Sequence, residues 1–171
     1  MHRRLFASAL LALALGACAS TPQVSSDVAP GVNFGQFSSY QWAASTMPAR
    51  VDPVLGQRVK DAIDGQMAAK GYTLSSPGSL IVMFNMGAHQ ETDVQSYGAW
   101  GLGLDVEQYT EGVLNIDVFD ARTKQAVWHG SAKQILGNNP DPSKITGVVV
   151  QTMASLPPRV APPPPASAAG D

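Results

Sequence analysis

The chain has 171 residues, 44% hydrophobic and 14% charged, with 13 acidic residues against 11 basic ones. This length suits one domain with a sizeable buried core. The acidic balance and the lack of a basic cluster argue against nucleic-acid binding, because phosphates require clustered lysines and arginines.

The first 17 residues have the pattern of a secretory signal peptide. Two arginines precede an apolar run, residues 5–15, and small residues follow it. The run is too short to cross a bilayer, which needs about 20 apolar residues. The segment Leu15, Gly16, Ala17 and Cys18 resembles the lipobox of bacterial lipoproteins, in which the cysteine is lipidated after cleavage just before it. We therefore expect a signal peptide over 1–17 and a lipid anchor at Cys18.

The other roles for Cys18 fit less well. It is the sole cysteine, so it has no partner within the chain, and it lies between a signal and a linker rather than in a core segment. The resemblance implies two or three acyl chains, enough for stable anchoring. Ala19 and Ser20 follow the cysteine, without the aspartate that retains enterobacterial lipoproteins in the inner membrane. The expected location is the outer membrane, facing the periplasm.

The next segments predict a tether, a strand and a helix. Residues 18–31 are rich in serine and proline and favour a tether, with a short strand near Val24–Val28. A strand is predicted over Ser39–Ala43. Asp52 and Pro53 are typical of a helix start, and Gly71 of a helix end. Leu55, Val59, Ala62, Ile63 and Met67 recur at helical spacing and predict the buried face.

The middle of the chain predicts strands. Tyr72–Leu74 and Leu80–His89 are extended segments, and a hairpin joins Tyr109–Phe119 to Val127–Ile135. A three-residue loop, 122–124, pairs position 118 with 128 and 116 with 130. This register puts the apolar residues of both strands on one face, whereas a one-residue slip would not. It also sets Asp117 opposite His129 on the other face.

The last elements complete the predicted fold. Asp141 and Pro142 begin a second helix that runs to about Leu156, and a Pro/Ala-rich tail, 159–171, is expected to be disordered. The order β-α-β-β-β-α predicts an α+β, two-layer sandwich with a mostly antiparallel sheet of about four to five strands and two helices on one face. Residues 32–158 form its single domain.

Several segments resemble the lipoprotein family called domain of unknown function 4136. They are the segment 37–42 with Tyr40 and Trp42, the helix end 69–72, the block 109–120, and Val127-Trp128-His129-Gly130. The resemblance covers most of residues 25–158. It implies fold and location but no biochemical activity.

No catalytic site, cofactor site or metal site is predicted. The mature chain would hold two histidines, His89 and His129, and none of the common nucleophile or zinc-protease motifs occurs. Asp117 with His129, extended by Lys133 or Glu111, is the one polar constellation, and a solvated ladder of charges explains it better than an active site. Asp105, Glu107 and His89 flank one loop, but their spacing matches no known metal-ligand set.

That loop, residues 89–108, is the predicted functional element. It is longer than most connections and carries Tyr97, Trp100, Leu102 and Leu104. These side chains suit contact with an envelope protein partner or a membrane surface, or Trp100 folds back over the core. The sequence thus predicts a non-catalytic scaffold or interaction module, with a small-ligand or lipid carrier as the alternative and an envelope hydrolase third. It leaves the oligomeric state open.

Overall fold

The structure, a computed structural model, describes residues 21–44, 51–97, 103–136 and 141–159. Six strands form one sheet, and both helices of the described ranges pack on one of its faces. The strands are β1 Gln23–Val28, β2 Ser39–Trp42, β3 Thr73–Leu74, β4 Leu80–Tyr97, β5 Gly103–Asp120 and β6 Ala126–Leu136. The helices are α1 Pro53–Ala69 and α2 Ile145–Thr152, and short 3-10 turns lie at Phe34–Gln36, Pro142–Lys144 and Met153–Ser155.

The sheet confirms the α+β class but is larger and more mixed than predicted. Its order is β1-β6-β5-β4-β2-β3, against an expected four to five strands. β2 runs parallel to β3 and β4, because α1 carries the chain back across the sheet between β2 and β4. β1 confirms the short strand predicted near Val24–Val28, and its antiparallel pairing with β6 makes it part of the sheet. All six residues of β1 are exposed, which explains its weak sequence signal.

α1 begins and ends where the sequence predicted. One carboxylate oxygen of Asp52 accepts hydrogen bonds from the backbone N–H groups of Val54 and Leu55, at 2.8 and 3.0 Å. These donors have no partner within the helix, so the cap stabilises its first turn. Gly71 has φ +88°, the left-handed conformation that terminates the helix. The buried face of α1 is Gly56, Val59, Ile63 and Met67.

The β5–β6 hairpin has the predicted register. Val118 lies opposite Trp128, Ile116 opposite Gly130, and Asp117 opposite His129. A bulge after Val118 shifts the pairing by one residue, so the turn is longer than the predicted three-residue loop. Trp128 is fully buried, and its indole N–H donates to the hydroxyl of Ser155 at 3.3 Å. The hairpin therefore contributes the largest fully buried side chain of the core.

The second helical segment is divided into a 3-10 turn, α2 and another 3-10 turn, rather than one helix over 142–156. Its buried residues are Val148, Val149, Thr152, Met153 and Leu156. The Lys70 ammonium donates to the carbonyls of Ala154 and Leu156 and joins this segment to the end of α1. Arg159, predicted as the start of the tail, donates its backbone N–H to the Lys70 carbonyl at 2.8 Å and so belongs to the domain.

A single apolar core lies between the sheet and the helices. Its largest fully buried side chains include Trp128, Tyr40, Ile63, Met67 and Leu80. Tyr40 and Trp42 both donate to one carboxylate oxygen of Asp64, at 2.6 and 3.0 Å. Among the described helices, none has the length and apolar character needed to cross a membrane.

Candidate functional site

β4 and β5 extend beyond the rest of the sheet as a two-stranded ribbon. Their pairing is continuous from Leu80 opposite Asp120 to Tyr97 opposite Gly103, whereas β6 accompanies β5 only as far as Thr110. Residues 91–97 and 103–109, named here the β-arm, therefore pair only with each other within the described ranges. At about 3.3 Å per residue, seven residues span roughly 23 Å.

The β-arm corrects the predicted loop over 89–108. Only residues 98–102 of that segment lie outside the described residues, and the remainder is strand. Alternation of apolar and polar residues in the arm is confined to residues 104–107, so the arm gives only a short strand signal. The two arm strands are held together by backbone pairing, which continues the β4–β5 ladder to Tyr97 and Gly103.

The arm is acidic. No lysine or arginine occurs between Lys70 and Arg122. The arm strands contain Glu91, Asp93, Asp105 and Glu107, and Asp93 lies directly opposite Glu107 in the ladder. Like charges at opposite positions destabilise a strand pair, and this stretch of sequence holds no basic residue to offset them.

A cluster of three titratable side chains lies where the arm leaves the sheet. His89 and Glu111 are directly opposite each other, and Glu91 is two residues further along β4, on the same face. The His89 Nε2 atom is 2.9 Å from Glu91 Oε1 and 3.1 Å from Glu111 Oε2. The ligand atoms of all three residues lie within 4.8 Å of one another.

This cluster differs from the groupings considered from the sequence. Asp105 and Glu107 are not neighbours of His89 in the ladder, since they lie opposite Gln95 and Asp93. Lys133 and Glu111 do pair with each other, Nζ to Oε2 at 3.4 Å, but they belong with His89 rather than with His129. The set depends on the register between β4 and β5, which the predicted β5–β6 hairpin does not give.

The predicted Asp117–His129 contact is confirmed. His129 Nδ1 lies 2.7 Å from Asp117 Oδ1 on the sheet face opposite the described helices, and Asp27 of β1 occupies the next position across the ladder. Both side chains are partly exposed, at 45% for His129 and 27% for Asp117. A carboxylate that orients an imidazole makes only part of a catalytic triad, and a charged ladder on a solvated sheet face fits this geometry.

The other predicted site residues are only partly described. Leu15, Gly16, Ala17 and Cys18 lie outside the described residues, as do Trp100 and Leu102. Tyr97 is the last residue of β4, and Leu104 lies opposite Ser96 in the ladder. The structure thus assigns the described members of this set to strands rather than to a loop.

A surface cleft of about 390 Å³ lies at the other end of β5, beside Asp120. Burial acts to raise the pKa of Asp120, but hydrogen bonds from the backbone N–H groups of Arg122 and Thr123, at 2.7 and 3.2 Å, outweigh it and lower the pKa below its ordinary value. The carboxylate therefore caps the β5–β6 turn in its ionised form, which does not suit a general acid. The other lining residues are Gln36, Phe37, Gly78, Ser79, Ala121 and Arg122.

These features define a class: a small α+β domain with helices on one sheet face and an acidic β-arm. The family model of the domain of unknown function DUF4136 matches residues 24–158. The chain belongs to this family, as its sequence segments predicted. No curated protein matches the chain.

Solved structures share the fold at low sequence identity. A PDZ domain protein from Parabacteroides distasonis matches with a TM-score of 0.58 and 13% identity, over 81% of this chain and 37% of that protein. This chain thus spans about a third of that protein's length. PelC from Paraburkholderia phytofirmans, crystallised as a dodecamer, matches with a TM-score of 0.54 and 13% identity, over 82% of this chain and 100% of PelC. At this identity the likeness concerns the fold alone.

Proposed function

We propose that this protein is a non-catalytic interaction module of the cell envelope, anchored by lipidated Cys18 to the periplasmic face of the outer membrane. In this proposal the β-arm binds an envelope protein. The lipobox-like segment before Cys18 supports the anchor. The extension of paired strands beyond the sheet is the observation that carries the interaction role.

A protruding ribbon is suited to contact with another protein. In the described residues each arm strand is hydrogen-bonded to one neighbour, so the outer edge of each has free backbone donors and acceptors. Such edges can pair with a strand of a partner. An isolated two-stranded ribbon is marginally stable in water, and a bound partner would stabilise it.

The charge of the arm indicates the kind of partner. Four carboxylates in a stretch without lysine or arginine favour a basic protein surface, because complementary charge increases the rate and specificity of association. We therefore propose a partner with clustered lysines and arginines. The alternative partner is a second copy of this chain, because PelC, which has a similar fold, was crystallised as a dodecamer.

Photo-crosslinking in cells tests this proposal. A crosslinking amino acid is placed at Gln95 in the arm and, as a matched control, at exposed Thr123 in the β5–β6 turn at the opposite end of the sheet. We expect an adduct from position 95 and none from position 123. The captured protein should bind the purified chain directly, and the double substitution D93K/E107K should abolish this binding.

Three outcomes contradict the arm proposal. Equal capture from positions 95 and 123 would indicate non-specific proximity, and binding unchanged by D93K/E107K would exclude the acidic arm. If the only protein crosslinked at position 95 is a second copy of this chain, the arm mediates self-association rather than binding to another envelope protein. The anchor is tested separately with Cys18→Ser, which should move the protein from the membrane fraction to the soluble fraction and abolish incorporation of a labelled fatty acid.

The structure offers less support for the other two functions. A lipid or small-ligand carrier requires an enclosed apolar cavity, whereas the cleft beside Asp120 is open and includes Asp120 and Arg122 in its lining. The hydrolase considered from the sequence would use Asp117 and His129. The variant D117N/H129A should therefore retain full function in a strain that depends on this protein.

A further inference from the structure

We propose that His89, Glu91 and Glu111 form a binding site for a divalent transition-metal cation at the base of the β-arm. This proposal is independent of the partner proposed above. It rests on the contacts of the three side chains, on the strand pairing that positions them, and on the charge around them.

The contacts bring two carboxylates to one imidazole nitrogen. His89 Nε2 is 2.9 Å from Glu91 Oε1 and 3.1 Å from Glu111 Oε2. A ring nitrogen carries at most one hydrogen, so it cannot donate a full hydrogen bond to both oxygens. A metal ion among the three atoms would accept an electron pair from each of them.

The distances are close to those of a tetrahedral metal site. Zinc binds histidine nitrogen at about 2.0–2.1 Å and carboxylate oxygen at about 2.0–2.2 Å, which separates neighbouring ligand atoms by roughly 3.4 Å. The two separations from His89 Nε2 need to widen by about 0.3–0.5 Å, and the two carboxylate oxygens, which lie within 4.8 Å of each other, need to adjust to the same spacing. Three protein ligands leave a fourth position for water or for a group from a partner.

The sheet fixes the backbone of all three residues. His89 and Glu111 are cross-strand partners, and Glu91 follows His89 by two residues on the same face. Glu111 is 15% exposed, so its carboxylate is held close to the sheet, whereas Glu91 and His89 are each about half exposed and can adjust. Such an arrangement combines one fixed ligand with two adaptable ones.

The surrounding charge favours a cation. The neighbouring arm contributes Asp93, Asp105 and Glu107, and no lysine or arginine interrupts this stretch of sequence. The nearest basic group in the described structure is Lys133, whose Nζ lies 3.4 Å from Glu111 Oε2. Lys133 is 52% exposed and can turn towards solvent when a metal neutralises the carboxylate.

The donor set indicates the class of metal. One imidazole nitrogen with two carboxylate oxygens suits Zn²⁺ and related first-row ions. Calcium takes six to eight oxygen ligands, more than this cluster supplies. Zn²⁺ is therefore the probe, and Ca²⁺ is the discriminating ion.

Isothermal titration calorimetry with Zn²⁺ tests the site on the chain purified from membranes in detergent, without a polyhistidine tag. We expect one Zn²⁺ per chain, with Kd in the micromolar range or below and no displacement by Ca²⁺. H89A and E111Q should each weaken binding at least tenfold, which corresponds to about 1.4 kcal/mol. H129A is the matched control, because His129 also contacts a carboxylate on the same sheet face, and it should change Kd less than twofold.

X-ray absorption at the zinc edge provides a second measurement that does not depend on affinity. The bound zinc should have a nitrogen and oxygen shell with the outer-shell scattering of one imidazole, and this scattering should disappear in H89A. Unchanged thermal unfolding of the metal-free variants would show that they are folded. The proposal fails if no binding occurs below 1 mM Zn²⁺, if H89A leaves Kd unchanged, or if H129A weakens binding as much as H89A.

Discussion

Substitution of Gly130 by alanine should be among the most destabilising single-methyl changes in this chain. Gly130 lies on β6 on the same face as Trp128, whose ring lies over it. A Cβ atom at position 130 would be 2.3 Å from Cη2 and 2.7 Å from Cζ2 of that ring, and 2.9 Å from Thr152 Cγ2. The position of this Cβ is fixed by the backbone, so the contacts can be relieved only if Trp128 and Thr152 move.

The magnitude follows from how little the neighbours can move. Trp128 is 1% exposed and Thr152 is fully buried, so the indole has no open space to enter. It must shift by more than about 1 Å to restore carbon contacts of about 3.5–4.0 Å. Overpacking of this kind costs about 1–3 kcal/mol, and loss of the hydrogen bond to Ser155 adds about 1 kcal/mol. We expect a loss of about 3 kcal/mol, or roughly 10 °C in Tm.

This loss is measured by urea unfolding, with tryptophan fluorescence as the signal. Gly87→Ala is the control, because the added Cβ at this position of β4 meets nothing within 4 Å and the substitution should be neutral or stabilise the protein by about 0.5 kcal/mol. The double variant W128F/G130A removes the clashing ring atoms and should be more stable than the sum of the single effects by at least about 1 kcal/mol. A loss below about 1 kcal/mol for G130A, or additive effects in the double variant, would refute the clash.

Three further substitutions test local contacts. Asp52→Ala removes the cap of α1 and should lower the free energy of unfolding by about 1 kcal/mol. Asp61→Ala, on the exposed side of the same helix, is the control. Equal losses in the two variants would exclude the capping role. Gly147→Ala in α2, where an added Cβ meets nothing within 4 Å, should stabilise the protein by up to about 1 kcal/mol in the same assay, and a loss would reveal an unrecognised contact. Burial raises the pKa of Tyr72 to about 12, so its stabilising contribution is complete below its ordinary pKa of about 10 and is lost as the pH rises through 12. Tyr72→Phe should therefore flatten the decline in stability between pH 9 and about 11.5, and identical pH profiles would contradict this assignment.

The predictable parts of the fold are those in which apolar periodicity and end signals agree. Asp52 and Gly71 define both ends of α1, and the alternation around Val118 and Trp128 leaves one register that buries both. β1 is exposed along its whole length, and its pairing depends on the backbone of β6, which sequence patterns do not reveal.

The candidate metal site illustrates the same limit. Predicting the β4–β5 register would have set His89 opposite Glu111, because the register is continuous over the whole pair. The predicted loop over 89–108, however, ended the first strand at His89 and began the next at Tyr109, so the extended part of the pair was missed. The acidic composition of the segment is visible in the sequence, but the strand pairing is needed to show that Glu91 and Glu111 both contact His89.

Amide hydrogen exchange can test whether the β-arm is an independent unit of the fold. Within the described ranges, residues 110–119 of β5 pair with β4 on one side and β6 on the other, whereas residues 103–109 pair with β4 alone. In a two-stranded antiparallel pair, alternate N–H groups point away from the partner strand and exchange freely with solvent. We therefore expect protection to fall between Tyr109 and Thr110, with alternate amides of 103–109 exchanging at nearly the free rate and the others much faster than those of 110–120. Uniform protection across the whole of β5 would mean that something outside the described residues pairs with its outer edge, which would then be unavailable to a partner.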